Sequence, residues 1–509
     1  MKSSLTRRDF LKFASLVSLS HALSPAASKL KVGNPSTPAN VLILVFDAWA
    51  AANMSLYGYP RRTTPNLERL AEKAIVYHNH FAGSHYTTPG TASLLTGTTP
   101  WTNQAFNLHA ELPEHVAKNT VFSAFSEYYR LAYSHNPLVN ALLQQMITNL
   151  DELTPREQLF FESDRLFTSL FNKDFDTAFV SRNQTLKQKD DGFSYTLFLA
   201  RLYQSYKRRR ANRVGEYFPR GVPGQGGFDF FLLEDSVDWI SSIAESTEHP
   251  FLGYYHLYPP HSPYHTRIDF LDSFADDNYK PTPKPKHFLK GFSAEGKADH
   301  QRRWYDEFML YVDAEFARLY DELERNGTLE NTWLVVTTDH GEMFERGIRG
   351  HLTPVFYQPV MRVPLLIFPP GQESRIDVYE QTSAIDLLPT LARATDQDVP
   401  NWAEGRVMAP FSESTSSEEK CISSIQVEIE DKQGNVLAAT AMLIEDDYKL
   451  IWSFGYKQLQ GEELVELYDL QADPEELNNL SADEKGITAN MLDVLKQHVA
   501  TLNRSKNPS

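Results

Sequence analysis

The sequence is poor in the residues on which several classes of protein depend. It has one cysteine, Cys421, among 509 residues, so no disulfide can form within the chain. No apolar run reaches the roughly 18 residues that a membrane-spanning helix needs. Positive charge is also scarce, because 49 Lys and Arg stand against 66 Asp and Glu and leave a formal net charge of −17. This balance argues against nucleic-acid binding. An anionic substrate would therefore need positive charge supplied at its own site, most simply by a metal ion.

The N-terminal residues have the composition of an export signal. A basic start precedes a modest apolar run at 13–23, and small residues lie near Ala26. The stretch RRDFLK at 7–12 resembles the twin-arginine export signal, and an ordinary secretory signal is the alternative. We expect residues 1–27 to be a signal peptide for the twin-arginine export machinery. The protein is then expected to be periplasmic or secreted.

Apolar runs alternate with amphipathic segments along most of the chain. Runs that predict buried strands lie at 40–46, 130–136, 250–258, 332–339 and 363–368. Patterns that predict helices lie at 63–74, 232–246, 304–327 and 383–394. This alternation predicts an α/β fold with a mostly parallel central sheet between layers of helices.

The rest of the sequence divides into an insertion and a C-terminal part. Residues 140–230 are predicted to be a helical insertion within a main domain spanning 38–414. A basic cluster at 203–213 is interpreted as a solvated helix face, with peripheral contact to an anionic membrane as the alternative. From 415 to 505, short segments separated by turn residues and a final helical pattern predict a small antiparallel sheet plus helix.

Polar side chains follow several of the predicted strands. Asp47 comes directly after the first strand, and Asp339 and His340 close a later one. Open α/β sheets bind ligands at the carboxyl ends of their strands, so we expect these side chains to converge. Because an isolated buried charge is costly, a divalent cation is the simplest partner for the two carboxylates. His135 and His256 also end strands, and we expect both to be structural.

The stretch HYTTPGTASLLTG at 85–97 gathers four threonines and a serine where a turn leads into a predicted helix. Hydroxyl side chains at such a position are common helix caps. One of them could instead be a nucleophile, and the pattern by itself leaves both interpretations open.

Several segments together resemble the sulfatase branch of the alkaline-phosphatase superfamily. They are 40–74, 87–97, 250–264, 334–351, 362–371, 384–391, 449–454 and 466–480. The resemblance implies an alkaline-phosphatase-like fold and a metal-dependent hydrolase of sulfate or phosphate esters. It places Asp47, Asp339 and His340 at metal-binding positions, with the Thr87 hydroxyl directed at the same ion. The ion implied is a single Ca²⁺, Zn²⁺ or Mn²⁺.

The resemblance also places Thr87 at the position of the family's nucleophile. His261 and His351 take positions that face the transferred group. Three departures from the family pattern bear on the chemistry. Ala48 replaces a second aspartate after the first strand, a threonine replaces the Cys or Ser that sulfatases convert to formylglycine, and Thr91 replaces an arginine.

Threonine at position 87 widens the range of activities to consider. Its Cβ methyl prevents conversion to formylglycine, so an ester formed there has to be attacked by water or by another alcohol. Threonine nucleophiles occur in superfamily members that resemble phosphoethanolamine and phosphoglycerol transferases. We expect a hydrolase of sulfated or phosphorylated glycans, lipid headgroups or small molecules. The alternatives are a transferase of that type and a catalytically inactive anion-binding protein.

Overall fold

The computed structural model describes residues 38–160, 214–225, 229–247, 250–290, 297–412 and 421–506. The predicted signal peptide at 1–27 and the basic cluster at 203–213 lie outside these ranges, as does much of the predicted insertion at 140–230. The domain boundaries drawn from the sequence therefore stay predictions. No helix in the described ranges is both long and apolar enough to cross a membrane.

The described strands and helices follow the predicted alternation. The strands are β1 Asn40–Phe46, β2 Ile75–Phe81, β3 Tyr129–Ser134, β4 Glu152–Leu153, β5 Gly224–Gln225, β6 Asp229–Phe230, β7 Phe251–Leu257, β8 Thr332–Thr337, β9 Arg362–Phe368, β10 Ile376–Ser383, β11 Cys421–Glu430, β12 Val436–Glu445, β13 Tyr448–Phe454 and β14 Leu464–Asp469. The α-helices are α1 Pro65–Leu70, α2 Thr87–Thr96, α3 Pro100–Asn103, α4 Glu114–Lys118, α5 Val121–Ala124, α6 Pro137–Gln145, α7 Leu233–Ser246, α8 Lys297–Arg325, α9 Gln358–Met361, α10 Leu387–Ala394 and α11 Lys485–Lys506.

The central sheet has the strand order β10-β2-β9-β8-β1-β7-β3-β4. β1 lies between β7 and β8 and runs parallel to both. β9 runs antiparallel to its neighbours β2 and β8, and the remaining described pairings are parallel. The predicted mostly parallel sheet is confirmed. β2 and β10 were not predicted from the sequence.

The apolar run of β1 is explained by burial on both faces of the sheet. The even-numbered residues from Leu42 to Phe46 pack into a core that includes α8. The odd-numbered residues from Val41 to Val45 pack into a second core that includes α2 and α6. Because successive strand side chains point to opposite faces, a strand with helices on both sides has no polar face. β1 is a central strand, so its carboxyl end lies near the middle of the row of strand ends.

The C-terminal sheet has the order β11-β12-β13-β14, and every strand is antiparallel to its neighbours. Helix α11 packs on it through Met491 and Leu495, which confirms the predicted antiparallel sheet plus helix. A buried ion pair joins this sheet to the segment after β8. Lys449 Nζ lies 2.7 Å from Glu476 Oε1, and Glu476 Oε2 accepts the N–H of Gln358 at 2.8 Å.

Helix α2 begins against the turn that follows β8. A Cβ built on Gly90 would lie 2.3 Å from the carbonyl oxygen of Asp339. Only glycine lets the first turn of α2 approach that backbone so closely. The helix ends at Gly97, whose φ of +67° is the left-handed conformation that glycine adopts most readily.

We predict that Gly90→Ala destabilises the protein by about 2 kcal/mol, because the new methyl group overlaps backbone atoms that cannot rotate away. Thermal or urea denaturation measures this change. The matched control is Gly486→Ala in α11, where a Cβ meets nothing within 4 Å. The control is expected to leave stability unchanged or to raise it by up to about 1 kcal/mol, since alanine has the higher helix propensity. Equal stability of both variants would contradict the close approach.

Candidate active site

Two buried carboxylates meet at the edge of the central sheet. Asp47 follows β1 directly and is 0% exposed, and Asp339 follows β8 and is 1% exposed. Ligand-type atoms of Asp47, Asp339 and His340 all lie within 4.8 Å of one another. Among the described residues, this is the one such group of three or more His, Cys, Asp or Glu side chains. The parallel pairing of β1 and β8 therefore brings together the three side chains expected to converge.

Each carboxylate has one satisfied oxygen and one unpartnered oxygen. Asp47 Oδ2 accepts the amide of Asn136 at 2.7 Å, and Asp339 Oδ1 accepts the N–H of His340 at 3.0 Å. Asp47 Oδ1 and Asp339 Oδ2 have no hydrogen-bond partner. His340 Nε2 lies 3.5 Å from each of these two oxygens. Two unpartnered anionic oxygens and one imidazole nitrogen facing each other are a donor set that fits a cation.

Burial and neighbouring charges shift the pKa values of these groups. Burial raises the pKa of Asp339, and the charge of Asp47 raises it further. Burial also acts to raise the pKa of Asp47, but His261, His256 and His340 outweigh it and lower that pKa. Burial lowers the pKa of His340, which favours the neutral form of its ring. A neutral ring is the form that binds a metal.

Thr87 lies beside this group at the start of α2. It is the first helical residue, after Tyr86 at the N-cap, and no side chain caps the helix there. Thr87 Oγ1 lies 3.3 Å from His340 Nε2 and is buried. The hydroxyl therefore does not cap α2, and it faces the acidic site. The free N–H groups of a helix N-terminus lie in the same place and favour an anion.

Three histidines present the same ring nitrogen to the site. His340 and His261 each donate Nδ1–H to the backbone carbonyl of the following residue, at 2.8 Å and 2.7 Å. His351 donates Nδ1–H to Glu342 Oε1 at 3.0 Å. The ring of His351 lies 4.2 Å from that of His340 and 4.8 Å from that of His261, centroid to centroid. These acceptors hold the proton of each neutral ring on Nδ1, so Nε2 carries the lone pair.

His256, which the sequence predicts to be structural, lies next to the two carboxylates. It is fully buried in β7, and its Nε2 lies 3.3 Å from Asp47 Oδ2 and 3.8 Å from Asp339 Oδ2. Its position at a strand end was the signal that could have identified it. His135, in contrast, stacks on Phe231 with ring centroids 4.0 Å apart, which agrees with a structural role.

Three further residues of the site were not assigned a role from the sequence. The side-chain oxygen of Asn136 caps α6, and its side-chain amide donates to Asp47 Oδ2. Glu342 accepts hydrogen bonds from the Tyr264 hydroxyl and from His351 Nδ1–H, both at 3.0 Å. His85 is buried, and its pKa is lowered by burial and by the charges of His340 and His351. Asn136 lies at a strand end, but nothing in the sequence marks Glu342 or His85 beyond their closeness to motif residues.

Two family models together, and several known proteins, match most of this chain. Residues 39–397 match the family model described as sulfatase, and residues 353–505 match one described as N-sulphoglucosamine sulphohydrolase, C-terminal. The uncharacterized sulfatase YidJ of Escherichia coli is 24% identical, over 87% of this chain and 83% of its own. The multifunctional alkaline phosphatase superfamily protein PehA of Trinickia caryophylli is 25% identical, over 88% of this chain and 92% of its own.

A solved structure shares the fold. The phosphonate monoester hydrolase of Agrobacterium radiobacter superposes with a TM-score of 0.64 at 18% identity, covering 91% of this chain and 96% of that one. The sulfatase match spans well over half of the sequence and includes every side chain of the site described above. The chain therefore belongs to the sulfatase family and is an ester hydrolase of that family.

Proposed function

We propose that the protein cleaves phosphate or sulfate esters, with Thr87 as its nucleophile and one divalent metal ion held by Asp47, Asp339 and His340. The observation that carries this proposal is the position of Thr87 Oγ1. The hydroxyl lies 3.3 Å from His340 Nε2, buried beside two carboxylate oxygens that have no other partner.

The donor set suits Zn²⁺ or Mn²⁺, and its carboxylate oxygens also suit Ca²⁺. When bound, such an ion neutralises the carboxylates, makes a nearby hydroxyl easier to deprotonate and stabilises negative charge on the ester. Asn136 and the backbone amide of His340 each bind one carboxylate oxygen. The other two oxygens, Asp47 Oδ1 and Asp339 Oδ2, would hold the ion. The Nδ1 contact of His340 keeps the other ring nitrogen available as the third ligand.

The proposed reaction has two displacements at phosphorus or sulfur. Thr87 Oγ1 gives its proton to water and bonds to the central atom, while the bond between that atom and the oxygen of the leaving alcohol breaks. In this reaction His261 and His351 act as imidazolium rings that carry a second proton on Nε2, each donating to a non-bridging oxygen, and one of them transfers its Nε2 proton to the leaving oxygen. Water then attacks the ester on Thr87, frees phosphate or sulfate and restores the hydroxyl.

The substrate proposed is an anionic ester on a glycan, a lipid headgroup or a small molecule. YidJ is named as a sulfatase and PehA as a multifunctional member of its superfamily, which supports keeping both ester classes. Transfer of the phosphoryl group to an alcohol is a second candidate, because an ester on threonine needs an external acceptor. The export signal resembled by RRDFLK at 7–12 supports action in the periplasm or outside the cell.

We predict that Thr87→Ala lowers turnover of aryl phosphate, bis-aryl phosphate or aryl sulfate by at least about 1000-fold, because it removes the attacking oxygen. Thr87→Ser keeps that oxygen and is expected to retain activity within about tenfold. Stopped reactions are then analysed by mass spectrometry for an ester on residue 87.

The matched control is Thr88→Ala, which removes the neighbouring hydroxyl, bonded to the carbonyl of Leu108. It is expected to leave turnover near the wild-type rate. Undiminished activity of Thr87→Ala would reject the nucleophile. No turnover of any of the three esters by metal-loaded wild type would favour the anion-binding protein instead.

Removing divalent metal with a chelator is predicted to abolish activity and to lower the melting temperature. The cation offsets the repulsion between Asp47 and Asp339, and a ligand at 100 times its dissociation constant stabilises the fold by about 2.7 kcal/mol. Adding back Ca²⁺, Mn²⁺ or Zn²⁺ separately should restore both properties with the native ion. Full activity in protein shown by elemental analysis to lack metal would contradict the proposal.

A further inference from the structure

The two oxygens of Asp47 have different surroundings. Oδ2 lies 2.7 Å from the Asn136 amide nitrogen and 3.3 Å from His256 Nε2, whereas Oδ1 has no hydrogen-bond partner. Oδ1 is also the oxygen that lies 3.5 Å from His340 Nε2. The carboxylate therefore has one oxygen held by the protein and one directed into the cluster.

His256 approaches the held oxygen from the strand beside β1. It is opposite Val45 in the parallel pairing of β1 with β7, and it is fully buried. Its Nε2 faces Asp47 Oδ2 and, at 3.8 Å, Asp339 Oδ2. A ring nitrogen lone pair pointing at two carboxylate oxygens would be repelled, so the electrostatics place a proton on Nε2.

The second nitrogen of His256 contacts the hydroxyl of Tyr254, with 3.0 Å between the oxygen and Nδ1. Tyr254 is also fully buried in β7, two residues earlier, so both side chains lie on the same face of the strand. A phenol that donates to Nδ1 fixes the ring proton on Nε2. This is the reverse of the arrangement at His340, whose Nδ1 carries the proton and whose Nε2 is left free.

We propose that Tyr254 and His256 act as a hydrogen-bonded pair that orients the Asp47 carboxylate for the metal ion. His256 is then a positioning residue, and Asp47 Oδ1 is the oxygen that binds. Asn136 donates its amide N–H to the same oxygen at 2.7 Å, and His256 Nε2 lies 3.3 Å from that oxygen. The inference rests on the proposed metal-dependent function, and it adds residues that the family resemblance did not assign.

The test measures metal affinity directly. Metal-free full-length protein is titrated with Mn²⁺, and free Mn²⁺ is followed by its electron paramagnetic resonance signal. We expect His256→Leu to weaken Mn²⁺ binding by about 10- to 100-fold, the range typical of lost partners to metal ligands. His256→Gln keeps a donor near the position of Nε2 and is expected to bind within about fivefold of wild type.

Tyr254→Phe removes a single oxygen and so tests the proposal even where the histidine variants fold poorly. It is expected to weaken Mn²⁺ binding by about three- to tenfold, as the ring loses its fixed tautomer. The matched control is His135→Gln, a buried imidazole at the end of the neighbouring strand β3 that contacts Ser236 at 3.4 Å. It is expected to bind Mn²⁺ as wild type does.

A second measurement separates positioning from direct ligation. The visible absorption of the Co²⁺-loaded protein reports the nitrogen ligands of the ion, and we expect it to be the same in wild type and His256→Leu. A changed Co²⁺ spectrum would make His256 a ligand and overturn the proposal. So would wild-type Mn²⁺ affinity in both His256→Leu and Tyr254→Phe. A wild type that binds no metal would instead overturn the proposed function and this inference with it.

Discussion

The approach of two buried carboxylates, Asp47 and Asp339, is the constraint on which the site depends. Each charge costs several kcal/mol to remove from water, and their repulsion adds to that cost in a poorly hydrated interior. Asn136 and backbone amides satisfy one oxygen of each carboxylate, and the other two oxygens face His340 without partners. Positive charge at the centre of such an arrangement, or a proton on one of the acids, stabilises it. Burial and the charge of Asp47 both raise the pKa of Asp339, as expected where two carboxylates approach each other away from water.

How far the sequence could predict this molecule follows from the physics of buried parallel strands. Because β1 has helices on both faces, its sequence is a continuous apolar run that predicts a buried strand. The polar Asp47 directly after that run could therefore be identified from the sequence. β10 was missed because it lies at the sheet edge and mixes exposed polar with buried residues, and β2 because histidines and an asparagine interrupt its pattern. Glu342 could not be assigned, since its contact with Tyr264 depends on tertiary packing across 78 positions. The family resemblance, and not periodicity, supplied roles for Thr87, His261 and His351.

The C-terminal sheet helps to position one segment of the site. Lys449 and Glu476 are both fully buried, and Glu476 also accepts the backbone N–H that begins α9. The segment between β8 and α9 carries Glu342 and His351, so its far end is fixed by a charge pair within the C-terminal part. Breaking one partner of such a pair leaves an uncompensated charge and costs about 3–5 kcal/mol. The position of His351 therefore depends on packing more than 90 residues further along the chain.

The departures from the family pattern change which charged side chains surround the site. Ala48, in place of a second aspartate, adopts a left-handed conformation with φ of +60°, which is strained for a residue with a Cβ. Its N–H lies 3.3 Å from Asp339 Oδ1, so the backbone at this position supports the carboxylate of Asp339. Thr91 takes the place of an arginine, whose charge would not vary with pH. Beside the site lie the imidazoles of His261 and His351, with 4.8 Å between their ring centroids. Relative to the family pattern, Ala48 therefore removes one fixed negative charge and Thr91 removes one fixed positive charge.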